Sequence, residues 1–132
     1  MRALDTNVLV RFLTNDDRSA AAKVTAMLEK AHDNGEQFLV VLPVVLELLW
    51  VLKAAYQLSR EDILAALEQL TLMPVLEFES DNVVTSLVRL GRSTQTDLPD
   101  LLIGLCARER GCEATWTLDK KVSRSDLFRV IA

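Results

Sequence analysis

The chain has 132 residues, 50% apolar and 26% charged, with four glycines and three prolines, a composition that suits one globular domain over residues 1–132 and excludes a low-complexity tail or a repeat array. A net charge of −4 and a pI near 5.0 argue against wholesale, sequence-blind nucleic-acid binding, which shows as a basic domain, while leaving room for a local basic patch. Cys106 and Cys112 form no Cys-x-x-Cys pair and His32 is the single histidine, so neither a zinc site nor a disulfide framework is indicated. The opening "MRALDTNVLV" lacks the features of a signal peptide, and the longest uncharged run, "FLVVLPVVL", is too short to span a bilayer. A cytoplasmic protein with reduced thiols is the expectation.

Two periods alternate along the chain. "RAL" (2–4), "FLVVL" (38–42), "VLEF" (75–78), "ATWTL" (114–118) and "FRVI" (128–131) are short β-rich segments, and each of the first four runs into a stretch of helical spacing. Residues 17–35 carry apolar positions at Ala20, Val24, Met27, Leu28 and Ala31 and close on "DNG". "SREDILAALEQL" opens with Ser59 three residues before Asp62, a variant of the capping pattern, and "SDNVVTSLVRLG" runs from a cap-type Ser80 to Gly91. Strands alternating with helices predict a three-layer α/β/α domain with a mostly parallel central sheet of about five strands.

In such a sheet ligands collect at the carboxyl ends of the strands, and acids stand there. Asp5 follows "RAL" and precedes Thr6 and Asn7, whose short polar side chains suit capping of the next helix. Asp119 follows "ATWTL", with Thr117 two residues earlier and so on the same face of the strand. Asp97 and Asp100 flank Pro99 in "TDLPDLLIG"; cap duty alone accounts for Asp97, but less well for Asp100, which leads an apolar helix. "LPVVLELLWVL" (42–52) holds a single carboxylate, Glu47, and burying it alone would cost several kcal/mol, so it must either reach solvent or meet a partner. Convergence of Asp5, Glu47, Asp100 and Asp119 on one edge would demand a cation, and oxygen-only ligands select Mg²⁺ or Mn²⁺ over zinc.

"LDTNVLVR", a Glu within an apolar helix, "DLPDLLIG" and "TLDKK", in this order over the whole chain, resemble the motifs of PIN-domain ribonucleases, with length and motif order most like the VapC-type toxins of bacterial toxin–antitoxin pairs. The resemblance implies a metal-dependent endoribonuclease in which Asp5, Glu47, Asp100 and Asp119 hold Mg²⁺ (Mn²⁺ substituting), Asp97 is an additional member, and Thr6, Asn7 and Thr117 support them. It further implies hydrolysis leaving a 5′-phosphate and a 3′-hydroxyl, a homodimer, and a cognate antitoxin whose C-terminal segment covers the site. Leu118 stands where the family often has Phe, and Leu98-Pro99 where Phe-Ala is more usual; both are packing positions.

Arg11, Lys120, Lys121 and Arg124, with Arg89 and Arg92, neighbour the acids in sequence and are candidates for RNA phosphate contacts, or for an ordinary charged surface. Cleavage through the RNA's own 2′-hydroxyl would want a histidine base and acid, whereas His32 stands alone in a polar helix end. Trp50, with Leu46 and Leu49, and Trp116 read as core. Two other classes stay open: a non-catalytic metal- or peptide-binding module, and a haloacid-dehalogenase-like phosphatase, whose second aspartate is replaced here by Asn7.

Overall fold

The computed structural model describes residues 1–122 and 124–132, and the elements alternate as the two sequence periods require. In chain order they are β1 (Arg2–Ala3), α1 (Thr6–Thr14), α2 (Arg18–Asp33), β2 (Phe38–Val40), α3 (Leu42–Ala54), α4 (Arg60–Thr71), β3 (Leu76–Phe78), α5 (Asp81–Ser93), α6 (Leu98–Glu109), β4 (Thr115–Thr117), a 3₁₀ turn (Lys120–Val122) and β5 (Phe128–Val130). Every strand pairing is parallel, as an α/β chain predicts. The five strands form two ladders, β1-β2-β3 and β4-β5, where a single sheet was expected. Strands of two or three residues leave each strand pairing only two or three register pairs, such as Phe38 with Leu76 and Trp116 with Arg129.

The chain folds into two compact units, Met1–Asp81 and Asn82–Ala132. In the first, α1 packs on α2 and α3, α3 on α4, and α4 on β3. Local sequence starts these helices. The Asp17 side chain accepts a hydrogen bond from the Ala20 amide at 3.0 Å, and Ser59 Oγ accepts from the Asp62 amide at 3.1 Å, satisfying donors that have no partner within the helix. Pro43 occupies the first turn of α3, where its missing N–H costs nothing. Gly35, at φ +70, takes the chain out of α2 in the left-handed region that "DNG" announces. Leu9, Val40, Val45, Leu48, Leu64, Leu67 and Leu70 are fully buried and form the core of this unit.

The turn from α1 to α2 is fixed by one carboxylate. Asn15 adopts φ 53, and the next residue, Asp16, accepts hydrogen bonds from the Tyr56 hydroxyl (2.8 Å), Thr14 Oγ1 (2.9 Å) and the Arg11 guanidinium (3.1 Å). The Tyr56 bond and then that of Thr14 outweigh the opposing effect of burial, and Arg11 adds to them, so that Asp16 is held below the usual carboxylate range. A depressed folded pKa contributes stability above the unfolded value, near 3.9, that disappears as the pH falls through the folded one. Tyr56→Phe is therefore expected to melt below the parent protein at neutral pH, with the two melting temperatures converging below about pH 4. Thermal melts followed by circular dichroism from pH 7 to pH 2 check this; a gap that stays constant with pH would assign Tyr56 a packing role only.

In the second unit α5 continues through Gly91 to Ser93 instead of stopping at the glycine, which is buried inside the helix. α6 meets β5 closely: a Cβ built on Gly104 would lie 2.9 Å from Leu127 Cβ and 2.9 Å from Phe128 Cε2. Only a residue without a side chain admits this approach. Val84, Leu87, Leu101, Leu102, Leu105, Val122 and Phe128 are among the buried apolar residues of this unit.

Candidate active site

The first unit carries Asp5, Thr6, Asn7 and Glu47. Leu4 is tied to β2 by its amide, which donates to Leu39 O at 3.0 Å, so Asp5 stands where the β1 backbone leaves the ladder. Asp5 is itself the N-cap of α1 and accepts from the Thr6 amide at 2.7 Å, while Thr6 and Asn7 already lie inside the helix, correcting the expectation that they cap it. Thr6 is only 2% exposed, and its hydroxyl oxygen has no hydrogen-bond partner. Glu47 is exposed. Helical spacing groups it with Pro43, Trp50 and Ala54 on the solvent side of α3, while Val45, Leu48, Leu49 and Leu52 face the core. The burial cost anticipated for Glu47 does not arise, because its apolar sequence neighbours lie on the opposite side of the helix. Trp50, 66% exposed, belongs to that same solvent side and not to the core.

The second unit carries Asp97, Asp100, Thr117 and Asp119. Asp97 occupies the N-cap position of α6 without making a side-chain capping hydrogen bond, so capping does not account for its carboxylate. Asp100, in the first turn, is half-buried, and its carboxyl is pushed above the usual range, first by burial and then by the negative charges of Asp97 and Asp119. The three aspartates thus share one electrostatic neighbourhood. Asp119 is held by its own backbone: its amide donates to Thr117 Oγ1 at 3.0 Å, and its Oδ1 accepts from the Lys121 amide at 2.9 Å. These short side-chain turns are typical of Thr and Asp, and they link the end of β4 to the 3₁₀ turn.

Beside these acids in sequence lies an open groove of about 540 Å³ lined by Thr94, Gln95, Thr96, Lys120, Lys121, Arg124 and Ser125. Lys120, Lys121 and Arg124 are three of the cations expected from the sequence. Thr94, Gln95, Thr96 and Ser125 were missed, and the polar run "STQT" before "DLPD" was the available signal. Arg11, the fourth, is engaged with Asp16 at 3.1 Å. The first unit has a separate cavity of about 360 Å³, lined by Phe12, Leu28, His32, Met73 and neighbours, which holds none of the predicted acids.

Among the described residues no group of three or more His, Cys, Asp or Glu side chains is arranged as a ready metal cage. Mg²⁺ does not require one, since it commonly keeps several waters and is held by one or two carboxylates together with substrate phosphates. The carboxylate oxygens of Asp100 and Asp119 are hard donors of the kind that fits that ion.

Short parallel strands alternate with helices in an α/β chain, with Asp5 and Asp119 each two residues past a strand end, and the PIN domain family model matches residues 2–126: the chain belongs to the PIN domain family. It is also similar to a VapC ribonuclease from Aquifex aeolicus (strain VF5), 23% identical over 124 residues that cover 94% of this chain and 91% of that protein. No helix among the described residues is long and apolar enough to cross a membrane.

Proposed function

We propose that the protein is a Mg²⁺-dependent endoribonuclease, with Mn²⁺ able to substitute, that hydrolyses RNA phosphodiester bonds as the toxin of a toxin–antitoxin pair. The observation that carries this reading is the shared electrostatic neighbourhood of Asp97, Asp100 and Asp119 in a chain matched by the PIN domain almost throughout. The likeness to a VapC ribonuclease supplies the substrate class. Asp100 and Asp119 would hold the ion, and Asp5 and Glu47 are the further site residues that the family motifs add. A bound divalent ion supplies Lewis acidity at the phosphate and makes a water more acidic.

The chain's own residues do the rest. The Thr117 hydroxyl fixes the Asp119 backbone, so the carboxylate enters the reaction already oriented. Lys120, Lys121 and Arg124 take phosphate oxygens along the groove, giving affinity without sequence choice. Water adds to phosphorus, the bond to the 3′-oxygen breaks, and the products carry a 5′-phosphate and a 3′-hydroxyl. The partners are RNA, a cognate antitoxin and a second copy of the chain.

Chelation separates this reaction from attack by the RNA's own 2′-hydroxyl. Incubated with total RNA and Mg²⁺, the protein is expected to release fragments with 5′-phosphate ends, and EDTA is expected to stop the cleavage. Undiminished cleavage in EDTA, with 2′,3′-cyclic phosphate ends, would overturn the mechanism.

A further inference from the structure

We infer that the exposed face of the β4–β5 ladder is a base-stacking platform for single-stranded RNA, with Trp116 as the side chain on which an unpaired base lies; this rests on the ribonuclease reading. Trp116 stands at the centre of β4, where core packing was expected, yet it is 62% exposed. Its register partner on β5 is Arg129. Alternation along the strands turns Leu118 and Ile131, 78% and 52% exposed, to the same side as Trp116 and Arg129, while Phe128 turns to the core. The Ile131 amide donates to Thr117 O at 2.8 Å, so the parallel pairing continues to the end of this face.

A flat, exposed ring beside a guanidinium is the surface on which bases stack without regard to sequence. Among the described residues Arg129 pairs with the exposed Glu113, at 3.7 Å, a contact weak enough in water to yield to a nucleotide. Charge chooses the occupant. Beyond Trp116 the chain runs through Asp119 into Lys120, Lys121 and Arg124, which line the groove, and this run of cations suits a polyanion better than an apolar protein surface. Asp119 lies three positions after Trp116, so their α-carbons are at most about 11 Å apart. Alternation turns Trp116 to the side of β4 opposite Thr117, so this face neighbours the carboxylates along the chain and not on their side of the strand.

Fluorescence tests the contact directly. Trp50→Phe leaves Trp116 as the sole tryptophan, and a single-stranded octamer of adenosine ribonucleotides titrated in EDTA is bound without being cleaved. The octamer is expected to quench Trp116 saturably. Trp116→Ala, unchanged in circular dichroism, is expected to bind it about tenfold or more weakly, Trp116→Phe to recover most of the affinity, and the salt dependence to keep its slope because the phosphate contacts remain. Binding of the octamer with equal affinity by Trp116→Ala, or without quenching, would overturn the stacking role and leave the nuclease reading standing. If in addition the Trp116→Ala variant sedimented as a smaller species than the parent, the face would belong to a protein contact. Absence of octamer binding by the parent would overturn the stacking role, while cleavage of total RNA with Mg²⁺ decides the nuclease reading separately.

Discussion

Asp100→Asn is expected to lower RNA hydrolysis by about 100-fold or more while leaving the melting temperature unchanged or raised. The substitution keeps the side chain's shape and removes its charge, and with it one of the two second-unit carboxylates assigned to the metal. The stability side follows from the same environment. Burial, then Asp97 and Asp119, push the Asp100 carboxyl above its ordinary range, so the folded protein holds that proton more tightly than the unfolded chain does. Such a group weakens the fold at neutral pH, and the penalty is relieved as the pH falls through the raised folded value. Asn carries no charge at any pH and removes the penalty throughout. Melting curves at pH 7 and near pH 4, beside cleavage rates with Mg²⁺, check both halves, and the parent is expected to gain on the variant as the pH falls. A variant that is unfolded at pH 7 would make Asp100 structural.

Gly104→Val is expected to cost about 3 kcal/mol. Two effects oppose each other there. Replacing glycine inside a helix gains up to about 1 kcal/mol of backbone propensity, and overpacking a tight contact costs about 1–3 kcal/mol. At Gly104 the added Cβ meets Leu127 Cβ and Phe128 Cε2 at 2.9 Å each, and neither is the free end of a flexible chain. Valine adds two further methyl groups and a restricted rotamer, so the clash wins. Gly104→Ala is expected to lose less, because its single methyl keeps the propensity gain. Urea unfolding of the three proteins measures the order; equal stabilities would mean that α6 and β5 are less closely packed than these distances state.

The helices were legible because caps and prolines act locally. Ser59, Asp17 and Pro43 start α4, α2 and α3 through bonds or constraints within a few residues, and such features are visible as letters. The acids after β1 and β4 were legible for the same reason, since each stands two residues past its strand end. Glu47 reaches solvent, one of the two outcomes its sequence allowed, because an apolar neighbourhood in sequence is not one in space: a helix places residue 47 with 43, 50 and 54 and turns 45, 48 and 49 away. Trp50 and Trp116 read as core because hydrophobicity is the same letter whether a ring is covered or left open, and only the fold decides. The groove residues Thr94 to Thr96 carry no motif, as they line it by position and not by type. Splitting of the strands into two ladders depends on hydrogen bonds between residues far apart in the chain, and strands of two or three residues give a pattern too short to fix it.

The most direct test of the central claim, that carboxylates including Asp100 hold a divalent ion, is a calorimetric titration of the folded, antitoxin-free protein and its Asp100→Asn variant with Mn²⁺. It needs no knowledge of the RNA target. Saturable binding to the parent that is weakened in the variant is the predicted result. A folded parent that takes up no Mn²⁺ at millimolar concentration, or a variant that binds it equally well, would contradict the metal site and favour a non-catalytic binding module.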